Sequence, residues 1–138
     1  MGVQVLPIKG EADVTNACMQ ARRFASNLHL CTTDVSRFVT AVSELAWNIV
    51  KYAESGTCLF CTLEEDGRHI MCATFEDHGL GIPDIAAAMQ DGFTTGSGLG
   101  GGLPGTKRLV DTFHIKSQPG HTVITIGLRL GKKLKNGD

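Results

Sequence analysis

The sequence predicts a two-layer α/β sandwich of the α+β kind, in which helices cover one face of a mostly antiparallel sheet. Two observations predict it: two long segments of helical periodicity and two pairs of consecutive β-segments joined by tight turns. The order β-α-α-β-β-α-α-β-β lacks the regular β-α alternation of a doubly wound parallel sheet. The 138 residues suffice for one core. We expect a single domain over residues 1–131 and a disordered tail over residues 132–138.

A short strand and two amphipathic helices come first. Val3–Ile8 is predicted as a strand, and Pro7 places it at a sheet edge because proline cannot donate to a ladder. Glu11–Leu30 carries apolar residues three and four positions apart, which is typical of a helix with one buried face. The next helix has the clearest periodicity in the chain, and we expect it to begin near Thr33 or Asp34, either of which is a good N-cap.

Four further segments are predicted as strands in two hairpins: Thr57–Glu64 with His69–Asp77, and Phe113–Gln118 with His121–Leu130. The first hairpin contains Asp66-Gly67, a strong signal for a type I′ turn, in which both central residues need positive φ. Two short helices are expected at Pro83–Asp91 and Pro104–Thr112, each with proline in its first turn.

Composition excludes several classes of protein. Lys and Arg number 13 against 14 Asp and Glu, so a formal net charge of −1 offers no global attraction to nucleic acid or to an anionic membrane. No apolar run approaches the roughly 20 residues that span a bilayer, and the N-terminus lacks a signal-peptide pattern. An odd number of cysteines, five, favours reduced thiols. We therefore expect a cytoplasmic protein that binds neither nucleic acid nor membranes.

Cysteine and histidine spacing does not indicate a metal site. Cys58 and Cys61 have C-x-x-C spacing, but an odd separation on a strand sends the two thiols to opposite faces. No second pair completes a tetrahedral ligand set. Trp47 and the five histidines show no ligand spacing either, so we expect packing or surface roles for them.

A glycine-rich loop at residues 92–103 is the strongest compositional deviation. Of 17 glycines, seven lie between Gly92 and Gly105. Glycines leave backbone N–H groups open to oxyanions, and the loop leads into the predicted helix N-terminus at Pro104, where unsatisfied donors favour phosphate. The stretch predicts a phosphate-binding lid; the alternative is a flexible loop without a ligand.

Two common phosphate motifs match this loop only in part. Gly96, Gly98 and Gly101 satisfy G-x-G-x-x-G, but no strand precedes them as a dinucleotide fingerprint requires. Gly100 and Gly105 have P-loop spacing, yet Thr-Lys follows where Lys-Ser or Lys-Thr is needed. A Walker A site is therefore rejected.

Polar residues on the second helix form another candidate site. Glu44 and Asn48 are four positions apart and share a helix face, which we expect to point outward from the core. A carboxylate can accept a proton, and an amide oxygen suits Mg²⁺. Lys51 adds a cation one turn further on. The alternative interpretation is an ordinary solvated helix face.

A third candidate directly follows an apolar strand. Asp77, Gly79 and Gly81 place a carboxylate at the strand end and two permissive residues in the turn beyond it. The carboxylate can accept a hydrogen bond from an exocyclic amine, and glycines allow a flat base to approach the backbone. A simple turn would have the same composition.

Together these segments resemble the N, G1 and G2 boxes of the GHKL ATPases. The segments that carry the resemblance are Glu44-x-x-x-Asn48-x-x-Lys51-Tyr52, Asp77-x-Gly79-x-Gly81 and Gly98-Leu99-Gly100-Gly101-Gly102-Leu103. Within that superfamily the chain is most similar to the anti-sigma-factor serine/threonine kinases of the RsbT-type switch group. The segments that carry this narrower resemblance are Ser43-Glu44-Leu45-Ala46, Gly81-Ile82-Pro83-Asp84-Ile85, Asp91-Gly92-Phe93-Thr94-Thr95 and Gly102-Leu103-Pro104-Gly105-Thr106-Lys107-Arg108-Leu109. The resemblance spans residues 10–130.

The resemblance implies a Bergerat fold, ATP and Mg²⁺, and a role for each site residue. Glu44 would be the catalytic carboxylate, Asn48 would hold Mg²⁺ and Lys51 would contact phosphate. The adenine amino group would bind Asp77 with help from Thr122. The nucleotide-binding set that the resemblance implies is Asn48, Lys51, Asp77, Gly79, Gly81, Gly98, Gly100, Gly101, Gly102, Leu103 and Thr122.

The same resemblance implies a partner-switching kinase. Its substrate would be a Ser or Thr of a STAS-domain antagonist, and the freed kinase would then bind a PP2C-type phosphatase or another regulator. The lid contains no basic residue, so Lys107 or Arg108 would have to supply charge to it. A non-catalytic, nucleotide-gated binding module is therefore the alternative. The ATPase half of a histidine kinase is disfavoured, because nothing supplies a phospho-acceptor helix pair.

Overall fold

A computed structural model describes residues 4–79 and 102–130 of the chain. In chain order its elements are β1 (Val5–Ile8), α1 (Glu11–Asn27), α2 (Thr32–Tyr52), β2 (Gly56–Glu65), β3 (Arg68–Asp77), α3 (Gly102–Leu109), β4 (Thr112–Gln118) and β5 (His121–Arg129). The helix predicted at Pro83–Asp91, most of the glycine-rich loop and the predicted tail at residues 132–138 lie outside the described residues.

The described strands form one sheet in the order β1-β2-β3-β5-β4, and each neighbouring pair is antiparallel. The strand β1, with Pro7, lies at one edge as predicted, although it begins at Val5. Phe24 of α1 stacks on Phe60 of β2 at 5.7 Å between ring centroids, and Phe38 of α2 lies 5.9 Å from the same ring. Both long helices therefore pack on one face of the sheet, which confirms the predicted two-layer architecture.

The core lies between these two layers and is built by alternation on the strands and by apolar stripes on the helices. Its fully buried side chains include Ile8, Ala17, Ala21, Ala25, Phe38, Val42, Leu45, Cys58, Met71, Ala73, Ile126 and Leu128. On β5 the alternate residues Ile124, Ile126 and Leu128 are all buried. The face of β3 that meets the helices consequently carries its odd-numbered residues, and the face of β5 its even-numbered ones.

The hairpin of β2 and β3 has the predicted two-residue turn. Asp66 and Gly67 both have positive φ, 55° and 76°, as a type I′ turn requires. The register pairs Glu65 with Arg68, so each strand is one residue longer at this end than the sequence indicated. A short turn with the correct backbone twist thus determines the register of the whole hairpin.

The ends of the long helices differ from the prediction. Helix α1 ends at Asn27, three residues early, because His29 adopts φ 62° and the N–H groups of His29 and Leu30 bond back to the carbonyls of Ser26 and Ala25. This is a Schellman ending with histidine where glycine is usual. Helix α2 begins at Thr32 after Cys31, which makes no side-chain capping bond, so the expected N-cap at Thr33 or Asp34 was wrong.

Helix α3 is shifted relative to the prediction of Pro104–Thr112. It begins at Gly102, inside the glycine run, and ends at Leu109, since Thr112 instead pairs with Gly127 in the sheet. Arg37 of α2 ties the end of this helix down. Its Nε donates to the Leu109 carbonyl oxygen at 2.9 Å, and its Nη2 lies 3.6 Å from Asp111 Oδ1. The guanidinium therefore anchors α3 to α2.

All five cysteines are free thiols, as predicted. Cys58 is buried among the core side chains, whereas Cys61 lies on the other face of β2, opposite Cys72 of β3. Burial raises the pKa of the Cys58 thiol and, together with the neighbouring Cys61, raises that of Cys72 to about 11. Both thiols are therefore protonated and poorly nucleophilic at neutral pH.

No helix within residues 4–79 and 102–130 is both long enough and apolar enough to cross a lipid bilayer. The 21-residue helix α2 has the length, but its polar side chains exclude it.

Candidate functional site

Glu44 and Asn48 lie on the flank of α2, and both are half-buried. They share one side of the helix, as their spacing predicts, but the expectation that they point away from the core was wrong. At about 100° per residue Asn48 lies only some 20° around the helix from Ala41, which is fully buried. The two side chains therefore lie at the boundary between the buried and the solvent-exposed sides of α2.

Partial burial changes the acidity of Glu44. Loss of solvent raises the pKa of this carboxyl above its ordinary value, and the positive charge of Lys51 partly opposes the rise. Lys51 itself is exposed, two helical turns beyond Glu44. A carboxylate with a raised pKa is a better proton acceptor than a fully solvated one, which suits a general base.

Burial and Lys51 have opposite effects on the Glu44 pKa, so removal of Lys51 should shift that pKa in a known direction. In Lys51→Met the Glu44 pKa should rise further, because the cation that lowers it is gone while the burial remains. NMR measures the Glu44 pKa from the pH dependence of its carboxyl ¹³C shift, and Glu44→Gln assigns the signal. This measurement does not require kinase activity. Lys116→Met on β4 makes the same change in net charge and should leave the Glu44 titration where it was. An unchanged or lower pKa in Lys51→Met would contradict the assignment.

Asp77 and Thr122 form a cross-strand pair at the end of β3 and the start of β5. Each stands two residues from a core side chain of its own strand, Phe75 and Ile124, so the pair faces the helical layer. Thr122 is only 4% exposed, and its hydroxyl shares a hydrogen bond of 2.6 Å with that of Ser117. The strand register thus brings together two residues that the resemblance assigned to the adenine base.

Gly79 holds the turn after β3 against the end of α2. A side chain here would place its Cβ 2.8 Å from the Cβ of Ala53, the residue that caps α2. The Gly79 N–H donates to Asp77 Oδ1 at 2.9 Å, and its carbonyl accepts from the Gly120 N–H at 2.9 Å. This close approach joins the helix that carries Glu44 to the strand end that carries Asp77, and it fixes one carboxylate oxygen of Asp77.

The glycine-rich segment is described only where it enters α3. Gly102 and Leu103 form the first turn of that helix, and the side chain of Leu103 is buried in the core. Gly81, Gly98, Gly100 and Gly101 lie outside the described residues, so their predicted contacts stay predictions. Lys107 and Arg108 are exposed in the last turn of α3, at the end away from the glycine run.

One cluster was missed by reasoning from linear spacing. Glu76, His78 and His121 bring ligand atoms within 4.8 Å of one another, whereas the sequence predicts only packing or surface roles for the histidines. His78 and His121 are far apart in the chain and meet only through the pairing of β3 with β5. The alternation of Glu76 and His78 around Asp77 was the one signal in the sequence that could have found them.

The described residues fit an adenine nucleotide with Mg²⁺. Gly79 has no room for a side chain, the adjoining Asp77 has one carboxylate oxygen held by a backbone donor, and the helix opposite offers a carboxylate, an amide and an ammonium group. Carboxylate and amide oxygens are the hard ligands that Mg²⁺ prefers alongside phosphate.

Comparison with known families agrees with this geometry. The family described as Histidine kinase-, DNA gyrase B-, and HSP90-like ATPase matches residues 33–132, which include α2 except its first residue, the sheet beyond β1 and α3. The chain therefore belongs to this ATPase family, and the Bergerat-type fold expected from the sequence is confirmed.

Similarity to a protein kinase indicates a narrower class within this ATPase family. The chain is 43% identical over 113 residues to the Serine/threonine-protein kinase RsbT of Bacillus subtilis (strain 168), covering 82% of this chain and 85% of the relative. Among solved structures, that of the RsbU and RsbW domains of Rv1364c from Mycobacterium tuberculosis superimposes with a TM-score of 0.65 at 18% identity. This match covers 93% of the present chain but 32% of the larger one, and it supports the fold alone.

Proposed function

We propose that this protein is a Mg²⁺- and ATP-dependent serine/threonine kinase of a partner-switching module, with a STAS-domain antagonist as its substrate. The observation that carries the proposal is Glu44, a half-buried carboxylate of raised pKa on the same helix flank as Asn48, in a chain similar to RsbT over most of its length. Phosphoryl transfer mainly requires positioning and charge neutralisation, so these few groups are sufficient in principle. The kinase would act in the cytoplasm, where ATP is supplied.

The adenine base would be bound by Asp77 and Thr122 at the end of the sheet. Asp77 Oδ1 is held by the Gly79 N–H, which leaves its second oxygen to accept from the exocyclic amino group of the base. The buried Thr122 hydroxyl lies beside it on β5. Gly79, and Gly81 beyond the described residues, would allow the flat base to approach the backbone.

The phosphates would lie towards α2 and the start of α3. The Asn48 side-chain oxygen would hold Mg²⁺, which neutralises phosphate charge when bound. Lys51 would contact the phosphates, and the backbone N–H groups of Gly98, Gly100, Gly101 and Gly102 would wrap them. Gly102 and Leu103 lie in the first turn of α3, where unpaired donors and the helix dipole favour negative charge.

Glu44 would act on the protein substrate. Its carboxylate would orient the attacking hydroxyl and accept its proton, while the γ-phosphoryl group passes to the hydroxyl oxygen and the bond to the β-phosphate oxygen breaks. The products are ADP, a phosphoserine or phosphothreonine, and a proton held at Glu44. The added negative charge would weaken the complex with the antagonist, and the freed kinase would then bind a PP2C-type phosphatase or another regulator.

A second function, nucleotide-gated sequestration without catalysis, is favoured by one observation. Residues 92–103 contain no basic side chain, and Lys107 and Arg108 project from the far turn of α3. Neither cation lies at the helix start, where the phosphates would be. The intact carboxylate at Glu44 argues for transfer.

A labelling experiment separates the two functions. With γ-labelled ATP, Mg²⁺ and a STAS-domain antagonist protein, we expect label on a Ser or Thr of that protein. Chelation of Mg²⁺, or alanine at the acceptor residue, should abolish it. Tight ATP binding without any transferred label would support the sequestering module, and no ATP binding would overturn both functions.

A further inference from the structure

The cluster of Glu76, His78 and His121 lies on the face of the sheet opposite the described helices α1 and α2. Side chains alternate along a strand, so Glu76 and His78 point to the side opposite from Asp77. The ladder of β3 with β5 ends at Asp77 and Thr122, and two residues further along the Gly120 N–H donates to the Gly79 carbonyl. His78 and His121 each lie between these two paired positions. The three side chains therefore share one face, behind the pair assigned to the base.

The three groups are already close to one another. His121 Nε2 and Glu76 Oε2 are 2.6 Å apart, and the two imidazole rings stack with centroids 5.0 Å apart and an angle of 22° between their planes. One ligand atom from each residue lies within 4.8 Å of the others. Ligand atoms about 2.0–2.1 Å from a tetrahedral Zn²⁺ lie somewhat over 3 Å apart, so small side-chain rotations would suffice.

We propose that Glu76, His78 and His121 form a binding site for a divalent transition-metal ion, with Zn²⁺ as the expected occupant. Two imidazole nitrogens and one carboxylate oxygen are one of the donor sets of three-ligand zinc sites, which keep a further position for water. Solvent can reach that position, because His78 is exposed and the His121 and Glu76 side chains are 39% and 44% exposed. The metal replaces the hydrogen bond between His121 and Glu76.

The backbone holds two of the three ligands in register. The hydrogen bond between Gly120 and Gly79 lies directly beyond the histidine pair, and the ladder of β3 with β5 lies directly before it. Glu76 and His121 therefore lie within strands, and His78 directly follows β3 between two paired positions, which reduces the ordering cost of binding a metal ion. The site is also separate from Asn48, the residue assigned to Mg²⁺, because it lies on the other face of the sheet.

The test is a titration of the full chain, purified without a polyhistidine tag, with Co²⁺ and Zn²⁺ in buffer free of nucleotide and phosphate. We expect one ion per chain and visible Co²⁺ bands of nitrogen and oxygen ligation, without sulfur charge transfer. His78→Ala and His121→Ala should each weaken binding more than about 100-fold, beyond the cost of losing a group that only supports a ligand. Circular dichroism melting of both variants checks the fold.

His69→Ala supplies the matched control, because His69 is exposed at the opposite end of β3 and should bind metal like the unmodified chain. Binding that survives both histidine substitutions would overturn the proposal. So would a sulfur-to-metal band that disappears in Cys31→Ser, which would place the ion on the exposed thiol. Absence of binding by the folded chain at millimolar metal would overturn it as well. None of these outcomes depends on kinase activity.

Discussion

Replacement of Glu44 by glutamine is expected to slow phosphoryl transfer strongly and to leave nucleotide binding intact. Glutamine keeps the shape of the side chain but cannot accept the hydroxyl proton, and general-base catalysis contributes about 10²- to 10⁴-fold. The transfer rate should fall by that factor in single-turnover assays with the STAS-domain protein. Calorimetry with a non-hydrolysable ATP analogue and Mg²⁺ should give an unchanged affinity.

Stability provides the check that Glu44→Gln is folded. Burial raises the Glu44 pKa in the folded state, so this residue favours folding when protonated, and that contribution is lost as the pH rises through the folded-state pKa. Burial disfavours the ionised side chain in the folded state relative to the unfolded state. The neutral glutamine should therefore melt at the same temperature or higher. Glu54→Gln, an exposed change just after α2, is the matched control and should retain full transfer. Undiminished transfer in Glu44→Gln would remove this residue from the chemistry.

Replacement of Asp77 by asparagine is expected to weaken ATP binding about 5- to 150-fold. The change disrupts a hydrogen bond between the carboxylate and the base in a half-buried site, which corresponds to about 1–3 kcal/mol. Calorimetry with the same ATP analogue measures the loss. The backbone donor at Gly79 can still bond to an asparagine oxygen, so the turn should persist.

A base analogue shows whether the loss in Asp77→Asn arises at the adenine. Inosine triphosphate carries a carbonyl where adenine has the amino group, so the unmodified protein should prefer ATP and Asp77→Asn should lose that preference. Asp66→Asn is the control, because the exposed type I′ turn tolerates asparagine at this position. This variant should bind both nucleotides as the unmodified chain does. Equal losses for ATP and inosine triphosphate in Asp77→Asn would argue against a contact with the amino group.

Features that depend on near neighbours in the chain were predicted well. The stripes of α1 and α2 follow from spacings of three and four, and the turn at Asp66-Gly67 follows from the positive φ that these residues tolerate. Element ends were less predictable. His29 ends α1 in a backbone conformation usually taken by glycine. Thr112 was predicted to lie in the last helix, but it pairs with Gly127 in the sheet instead.

The candidate site shows the same division. Glu44 and Asn48 could be assigned to one helix face from their spacing alone, but their partial burial, and with it the raised pKa of Glu44, depends on the core beneath the helix. Asp77 was recognisable as a strand-end carboxylate. Its place beside Thr122 required the pairing of β3 with β5, which no local pattern specifies.

The sequence by itself determined the two helical stripes, the two hairpins and the family resemblance, because each is encoded by residues close together in the chain. Only the tertiary structure decided that Gly79 contacts Ala53, that Arg37 holds the end of α3, and that His78 lies against His121 beside Glu76. Those contacts join residues distant in sequence. They depend on strand register and on how the helices pack over the sheet, and both are set by burial of the whole core at once.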